Sequence, residues 1–167
     1  MSSELERQLA ELKQGDHLCP IYESSAEQIA GTVAFIKVGL AQGERCLYSA
    51  GDCTVEEVIQ ALVAARVNVT HERQQGALQF LTNRDSYFLS GKFDPQAMIE
   101  FLRQAEALAL ADGFFGLRFA GEMTWALGPE AGCDRLIEYE ALLNHYLPNS
   151  RTVIICLYDR SRFNPEV

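Results

Sequence analysis

Polar and apolar positions along this chain switch repeatedly between a helical period and an extended one. Leu5, Leu9 and Leu12 fall at helical spacing between Glu4 and Gln14, and the run stops at Gly15, which predicts a short amphipathic helix. Asp16 to Tyr22 reads as a first strand. Ser24 or Ser25 then caps a helix, with Glu27 and Gln28 placed for a capping box, and Ile29, Val33, Ile36 and Leu40 line one face to about Ala41. Gly43 ends it. Arg45 to Ala50 is a nearly all-apolar second strand. Thr54 caps a helix from Val55 to about Arg66, and Ala77 to Thr82 is a third strand. Asp94-Pro95 joins an N-cap to a proline at the first helical position and opens a helix to Ala111. Phe115 to Gly121 is a fourth strand, Glu130 to Tyr146 a helix closed by Leu147-Pro148, and Thr152 to Tyr158 a fifth strand.

Apolar strands that alternate with helices make a parallel sheet covered on both sides. The expected fold class is α/β: a three-layer αβα sandwich around a mainly parallel sheet of five or more strands. A length of 167 residues suits one domain, here 15–163, preceded by the helix of 1–14. The irregular piece is Asn83 to Phe93. Tyr87, Phe88 and Phe93 sit there among polar residues, which points to a functional or interface-forming loop.

This element order is that of a nucleotide-binding domain, yet the position of a phosphate loop holds Tyr22-Glu23-Ser24-Ser25-Ala26-Glu27. A phosphate loop needs glycines, so that backbone N–H groups can approach the phosphates, and a lysine to reach them. Both are missing. A net charge of −9 argues against direct nucleic-acid binding. No stretch is apolar for the length of a membrane span, and the polar N-terminus from Met1 to Lys13 is not a signal peptide. Cys19, Cys46, Cys53, Cys133 and Cys156 form no close-spaced framework, so reduced thiols in a cytoplasm are expected.

His17 and Cys19 are two residues apart on a strand and share a face. With Cys156 on a neighbouring strand they could make a soft metal site. The alternative is a buried hydrogen-bonded histidine beside a cysteine acting as a small hydrophobe. Only two of these ligands are close in sequence and no C-x-x-C pattern supports them, so no metal or other cofactor is assigned. A catalytic dyad is not read here either, since Cα atoms two apart on a strand lie about 6 to 7 Å from each other. Cys53, just before a helix start, could be a reactive thiol.

Three segments together resemble a known family: Gly15-Asp16-His17-Leu18-Cys19-Pro20-Ile21-Tyr22-Glu23, then Phe35-Ile36 through Gly39-Leu40-Ala41-Gln42-Gly43-Glu44-Arg45-Cys46-Leu47-Tyr48, then Gly121-Glu122-Met123-Thr124-Trp125-Ala126-Leu127. They are similar to the MEDS domain, the methanogen/methylotroph sensory domain named for a dichloromethane-responsive regulator. The resemblance implies a degenerate RecA/KaiC-like scaffold without the phosphate loop, with strand order 5-1-4-3-2. It implies a non-catalytic role in signal transduction or transcription regulation, of the two-component or related type. It also implies a small, hydrocarbon-like ligand and a histidine kinase or transcription-regulator partner, in cis or in trans. No kinase or helix-turn-helix segment follows here, so a stand-alone or excised sensor is expected.

Ligands of open parallel sheets bind beyond the carboxyl ends of the strands. Tyr22, Glu23, Asp52, Asn83, Glu122, Trp125, Tyr158 and Asp159 occupy those ends. Glu122 stands where the ATPase relatives carry a metal-holding acid, and Arg118 lies four residues earlier on the same face as its expected partner. The candidate ligand-binding set is His17, Cys19, Tyr22, Glu23, Asp52, Arg118, Glu122, Trp125 and Tyr158. Within it, Tyr22, Trp125 and Tyr158 join Phe88 in a possible aromatic cavity. The helix carrying Leu5, Leu9 and Leu12 could pass a signal to a partner or form a homodimer contact. The rival readings are a protein-interaction adaptor without ligand and a residual nucleotide-binding domain.

Overall fold

The computed structural model describes residues 4–163. Its helices are α1 (Glu4–Ala10), α2 (Ser25–Ala41), α3 (Val55–Ala64), α4 (Val69–Gln74), α5 (Pro95–Ala111) and α6 (Leu136–Tyr146). Its strands are β1 (His17–Leu18), β2 (Ile21–Tyr22), β3 (Arg45–Ser49), β4 (Leu78–Leu81), β5 (Leu117–Glu122) and β6 (Thr152–Asp159). The sheet order is β1-β6-β5-β3-β4, with β2 also on β6, and every pair is parallel. One apolar layer joins α2 and α3 to Cys46, Tyr48, Ala120, Val153 and Ile155. The other joins α5 and α6 to Leu47, Phe119, Ile154 and Cys156. The three-layer α/β sandwich is therefore present.

Local chemistry explains the element ends. Ser24 accepts from Glu27 N, Thr54 and Glu57 form a reciprocal capping box, and Asp94 accepts from Gln96 N and Ala97 N ahead of Pro95. Gly43 takes φ 74 beyond the end of α2, where a side chain would be strained. The predicted helix over 55–66 stops sooner, because Arg66 turns left-handed at φ 66. Asn68 then caps α4, a helix the sequence reading leaves out. The helix expected from Glu130 begins only at Leu136, after Gly132 at φ 93 and a short 3-10 turn. The first three residues of the expected 1–14 helix lie outside the described residues. Within them, α1 docks on α2 through buried Leu9, a Glu6–Lys37 ion pair and a Gln42 Nε2 bond to the Ala10 carbonyl.

Two expectations are corrected. The first strand is broken into β1 and β2 at Cys19-Pro20. The Pro20 carbonyl still accepts from Tyr158 N at 3.0 Å, but a proline has no N–H to return to β6, so one rung is missing. The strand order also differs from 5-1-4-3-2: the fifth strand, β6, lies between the first and the fourth, and the second lies beside the fourth. A proline-broken strand belongs at an edge, while the eight residues of β6 are buried on both faces along most of their length and must sit inside.

Candidate functional site

At the start of α2, where a phosphate loop would sit, the chain caps its own helix. Only Glu23 and Ser24 separate β2 from α2. The free amides of a helix N-terminus are an anion site, but here Glu27 Oε2 accepts from Glu23 N at 2.8 Å and Ser24 Oγ accepts from Glu27 N at 3.3 Å. The chain's own side chains thus cap this helix end. Glu23 also pairs with Arg160, and Asp52 with Arg162, in exposed ion pairs that contribute little.

Glu122, at the carboxyl end of β5, is fully buried. It accepts from the Tyr48 hydroxyl and from Cys53 N at 3.2 Å. Gly51 permits this closure: a Cβ there would stand 2.8 Å from Glu122 Oε2 and from Thr124 Oγ1. Burial pushes the Glu122 carboxyl up, against the pull of Tyr48 and Cys53. Burial likewise raises Tyr22 and Tyr48, with the Glu122 charge adding to it. Cys53 does not become the reactive thiol that its place before a helix start allowed. Its Sγ donates to Gln28 Oε1 at 2.8 Å, and burial pushes it up to about 11.

A carboxyl whose folded pKa is raised contributes stability fully present below its unfolded value, about 4.3, and lost as pH rises through the folded value. Glu122→Gln can still accept from Cys53 N and donate to the Tyr48 oxygen. It is expected to raise Tm at pH 8 and leave it nearly unchanged at pH 4. A fall at pH 8 in a thermal melt would refute that assignment.

Arg118 does not meet Glu122. It lies fully buried toward the other end of β5, where its Nε donates to Glu44, its Nη2 donates to Gln42 Oε1 at 3.0 Å, and its guanidinium covers the Phe35 ring at 4.6 Å. Four residues of strand span about 13 Å, too far for a pair. The aromatic cavity does not form as expected either. Tyr22 packs in the α2 layer and Trp125 in the α5–α6 layer, and the Tyr158 hydroxyl donates to Glu140 Oε1 at 2.5 Å. Tyr87 and Phe93 are core residues rather than loop ligands, since Trp125 stacks on Tyr87 at 4.6 Å and lies 4.2 Å from Phe93.

A cleft of ≈ 700 Å³ lies open between residues 83–91 and 125–130, beyond the carboxyl ends of β4 and β5. Phe88 and Trp125, edge to face at 5.7 Å, form part of its wall. The other lining residues include Asn83, Arg84 and Glu130.

A separate cluster forms where β1, β6 and α6 meet. His17 Nδ1 lies 3.1 Å from Asn144 Oδ1. His17 Nε2 lies 3.2 Å from Glu140 Oε2, 3.4 Å from Cys156 Sγ and 3.5 Å from Cys19 Sγ. Hydrogen bonding with Cys156 and His17 pulls the Cys19 thiol down to about 5 against its burial. Burial pushes the Glu140 carboxyl up. Glu140 and Asn144 escape the sequence reading. Their only signal is an i,i+4 polar pair on one side of α6, and nothing local ties it to a strand more than a hundred residues earlier.

Residues 16–167 match a family described as MEDS, the methanogen/methylotroph, DcmR sensory domain. The transcriptional repressor DcmR of Methylorubrum extorquens is 26% identical over 145 residues, covering 86% of this chain and 52% of DcmR. The chain thus spans about half the length of that curated relative. Among solved structures, the flagellar accessory protein FlaH of Methanocaldococcus jannaschii superposes with TM-score 0.65 at 15% identity, over 99% of this chain and 71% of FlaH. The KaiC-like protein PH0186 of Pyrococcus horikoshii OT3 gives 0.58 at 12% identity, over 87% of this chain and 62% of PH0186. Among the described residues no helix is long and apolar enough to cross a membrane.

Proposed function

The chain belongs to the MEDS family of sensory domains, and from that premise we propose that it is a non-catalytic input domain of a transcription-regulatory or signal-transduction system. Its ligand is a small organic molecule with apolar and polar parts. The observation that carries this reading is the closure of α2 by Ser24 and Glu27. On a scaffold of KaiC-like shape the exposed Glu27 carboxylate stands at this helix start, where it would repel a phosphate. The open cleft beside Trp125 then offers the site. Phe88 and Trp125 supply apolar contact, while Asn83, Arg84 and Glu130 line the same cleft with polar groups.

Signalling follows as a population shift. A ligand held between the 83–91 and 125–130 segments favours the arrangement that closes on it, and a kinase or regulator segment in cis or in trans reads the difference. DcmR, a repressor about twice the length matched here, is consistent with such an arrangement.

Thermal melts against ATP, GTP and panels of small alcohols, amines and halocarbons test this. One organic class at 100 times its Kd should add about 2.7 kcal/mol, shift the emission of Trp125, the sole tryptophan, and lose both effects in Phe88→Ala. Stabilisation by nucleotide, or by nothing in the panel, overturns the reading; the latter leaves an adaptor role.

A further inference from the structure

The cluster on β1, β6 and α6 shares no lining residue with the cleft and makes a separate case. Three groups, one carboxylate and two thiols, converge on one nitrogen. Glu140 Oε2, Cys156 Sγ and Cys19 Sγ all lie within 3.2 to 3.5 Å of His17 Nε2. A ring nitrogen has one lone pair or one hydrogen to offer, so hydrogen bonding accounts for one of these approaches and not for three. The ligand-type atoms of His17, Cys19 and Glu140 all lie within 4.8 Å of one another, and the Cys156 thiol interacts with both Cys19 and Glu140.

For His17, Cys19 and Glu140 the separations match a common centre, and Cys156 Sγ stands beside it, 3.4 Å from His17 Nε2. In a tetrahedral zinc site with Zn–S about 2.3 Å, Zn–N about 2.0–2.1 Å and Zn–O about 2.0–2.2 Å, ligand atoms stand about 3.5 Å apart for S···N, about 3.3 Å for N···O and about 3.5 Å for S···O. The corresponding distances here are 3.4 and 3.5 Å, 3.2 Å, and 3.7 Å between Cys19 Sγ and Glu140 Oε2. The outer groups fit as well. The second ring nitrogen of His17 faces Asn144 Oδ1 at 3.1 Å, which fixes the tautomer leaving Nε2 free, and Glu140 Oε1 is held by the Tyr158 hydroxyl at 2.5 Å. Cys156 is fully buried, His17 and Glu140 are mostly covered, and Cys19 is exposed, so an ion has one way in.

We propose that His17, Cys19, Glu140 and Cys156 bind one divalent cation of the zinc class in a four-coordinate site. Two thiolates and an imidazole favour a borderline-soft ion over calcium or magnesium. With all four positions taken from the chain, the site is of the closed, structural kind. It fastens the broken edge strand to α6 and β6.

The untagged full chain, expressed in zinc-supplemented medium and dialysed against a weak chelator, should retain about one zinc per chain by elemental analysis. Cobalt exchanged into it should show the intense visible bands and sulfur charge-transfer absorption of a tetrahedral thiolate site. Cys19→Ser, at an exposed position, should keep the fold by circular dichroism and weaken zinc binding at least about tenfold. Asn144→Ala, acting through His17, should weaken it about 10–100-fold. Zinc-free protein that neither takes up cobalt in that geometry nor gains Tm with zinc overturns the proposal. So does uptake that Cys19→Ser leaves unchanged, or isolation of a Cys19–Cys156 disulfide as the stable state under reducing purification.

Discussion

Arg118→Met is expected to cost about 3–5 kcal/mol of folding stability, because it strands a buried carboxylate. Glu44 is 1% exposed, and its partners there are Arg118 and the Gln14 amide. Natural domains have about 5–15 kcal/mol in hand, so the single variant should be largely unfolded at moderate urea. Adding Glu44→Gln removes the stranded charge and should recover much of the loss. A urea-unfolding double-mutant cycle measures both; equal destabilisation of single and double variants would show that the ion pair is not the cause. The same constellation explains why Gly39 stands where it does: a Cβ there would come within 2.5 Å of Arg118 Cδ and 2.6 Å of Cys46 Sγ.

Phe93→Ala should cost about 3–5 kcal/mol, the range for truncating a core aromatic, although Phe93 lies in no helix or strand. It is 1% exposed and packs on Trp125 at 4.2 Å and on Tyr139 at 5.6 Å. Phe88→Ala, only five residues away on the cleft wall, should cost clearly less. If the two variants melt at the same temperature, the segment is not divided into a core part and a cleft part.

Where a structure is set by neighbours a few residues apart, the amino-acid sequence carried it plainly. Thr54 with Glu57, Asp94 with Pro95, and Gly43 each mark an element end through bonds or dihedrals local to that end. The three-layer class follows equally from strands that are apolar on both faces. Strand order does not, because pairing depends on which strand can give a complete ladder. Pro20 was the available clue that the first strand belongs at an edge. The pairing of Glu122 with Arg118 failed for a similar reason: both lie on one face of β5, but their partners come from β3, the α2–β3 turn and the loop after β3. Tyr87 and Phe93 looked like loop aromatics because nothing nearby in sequence reveals that Trp125 covers them. Glu140 was invisible for the same reason, since its significance comes only from meeting His17 across the fold.

The missing rung at Pro20 also bears on the order in which the protein comes apart. Local opening begins where backbone bonds are few and solvent is near, and β1 and β2 meet both conditions while β3 and β5 meet neither. Amide protons of the β6 residues facing this edge should therefore exchange with deuterium well before those that β3 and β5 share. Because His17 and Cys19 ride on the strand that lifts, while Glu140 and Cys156 stay behind on α6 and β6, each such opening takes the cluster apart. Anything held among those four side chains would be released at the rate of edge opening, and its presence would be read as slower exchange along this one margin of the sheet.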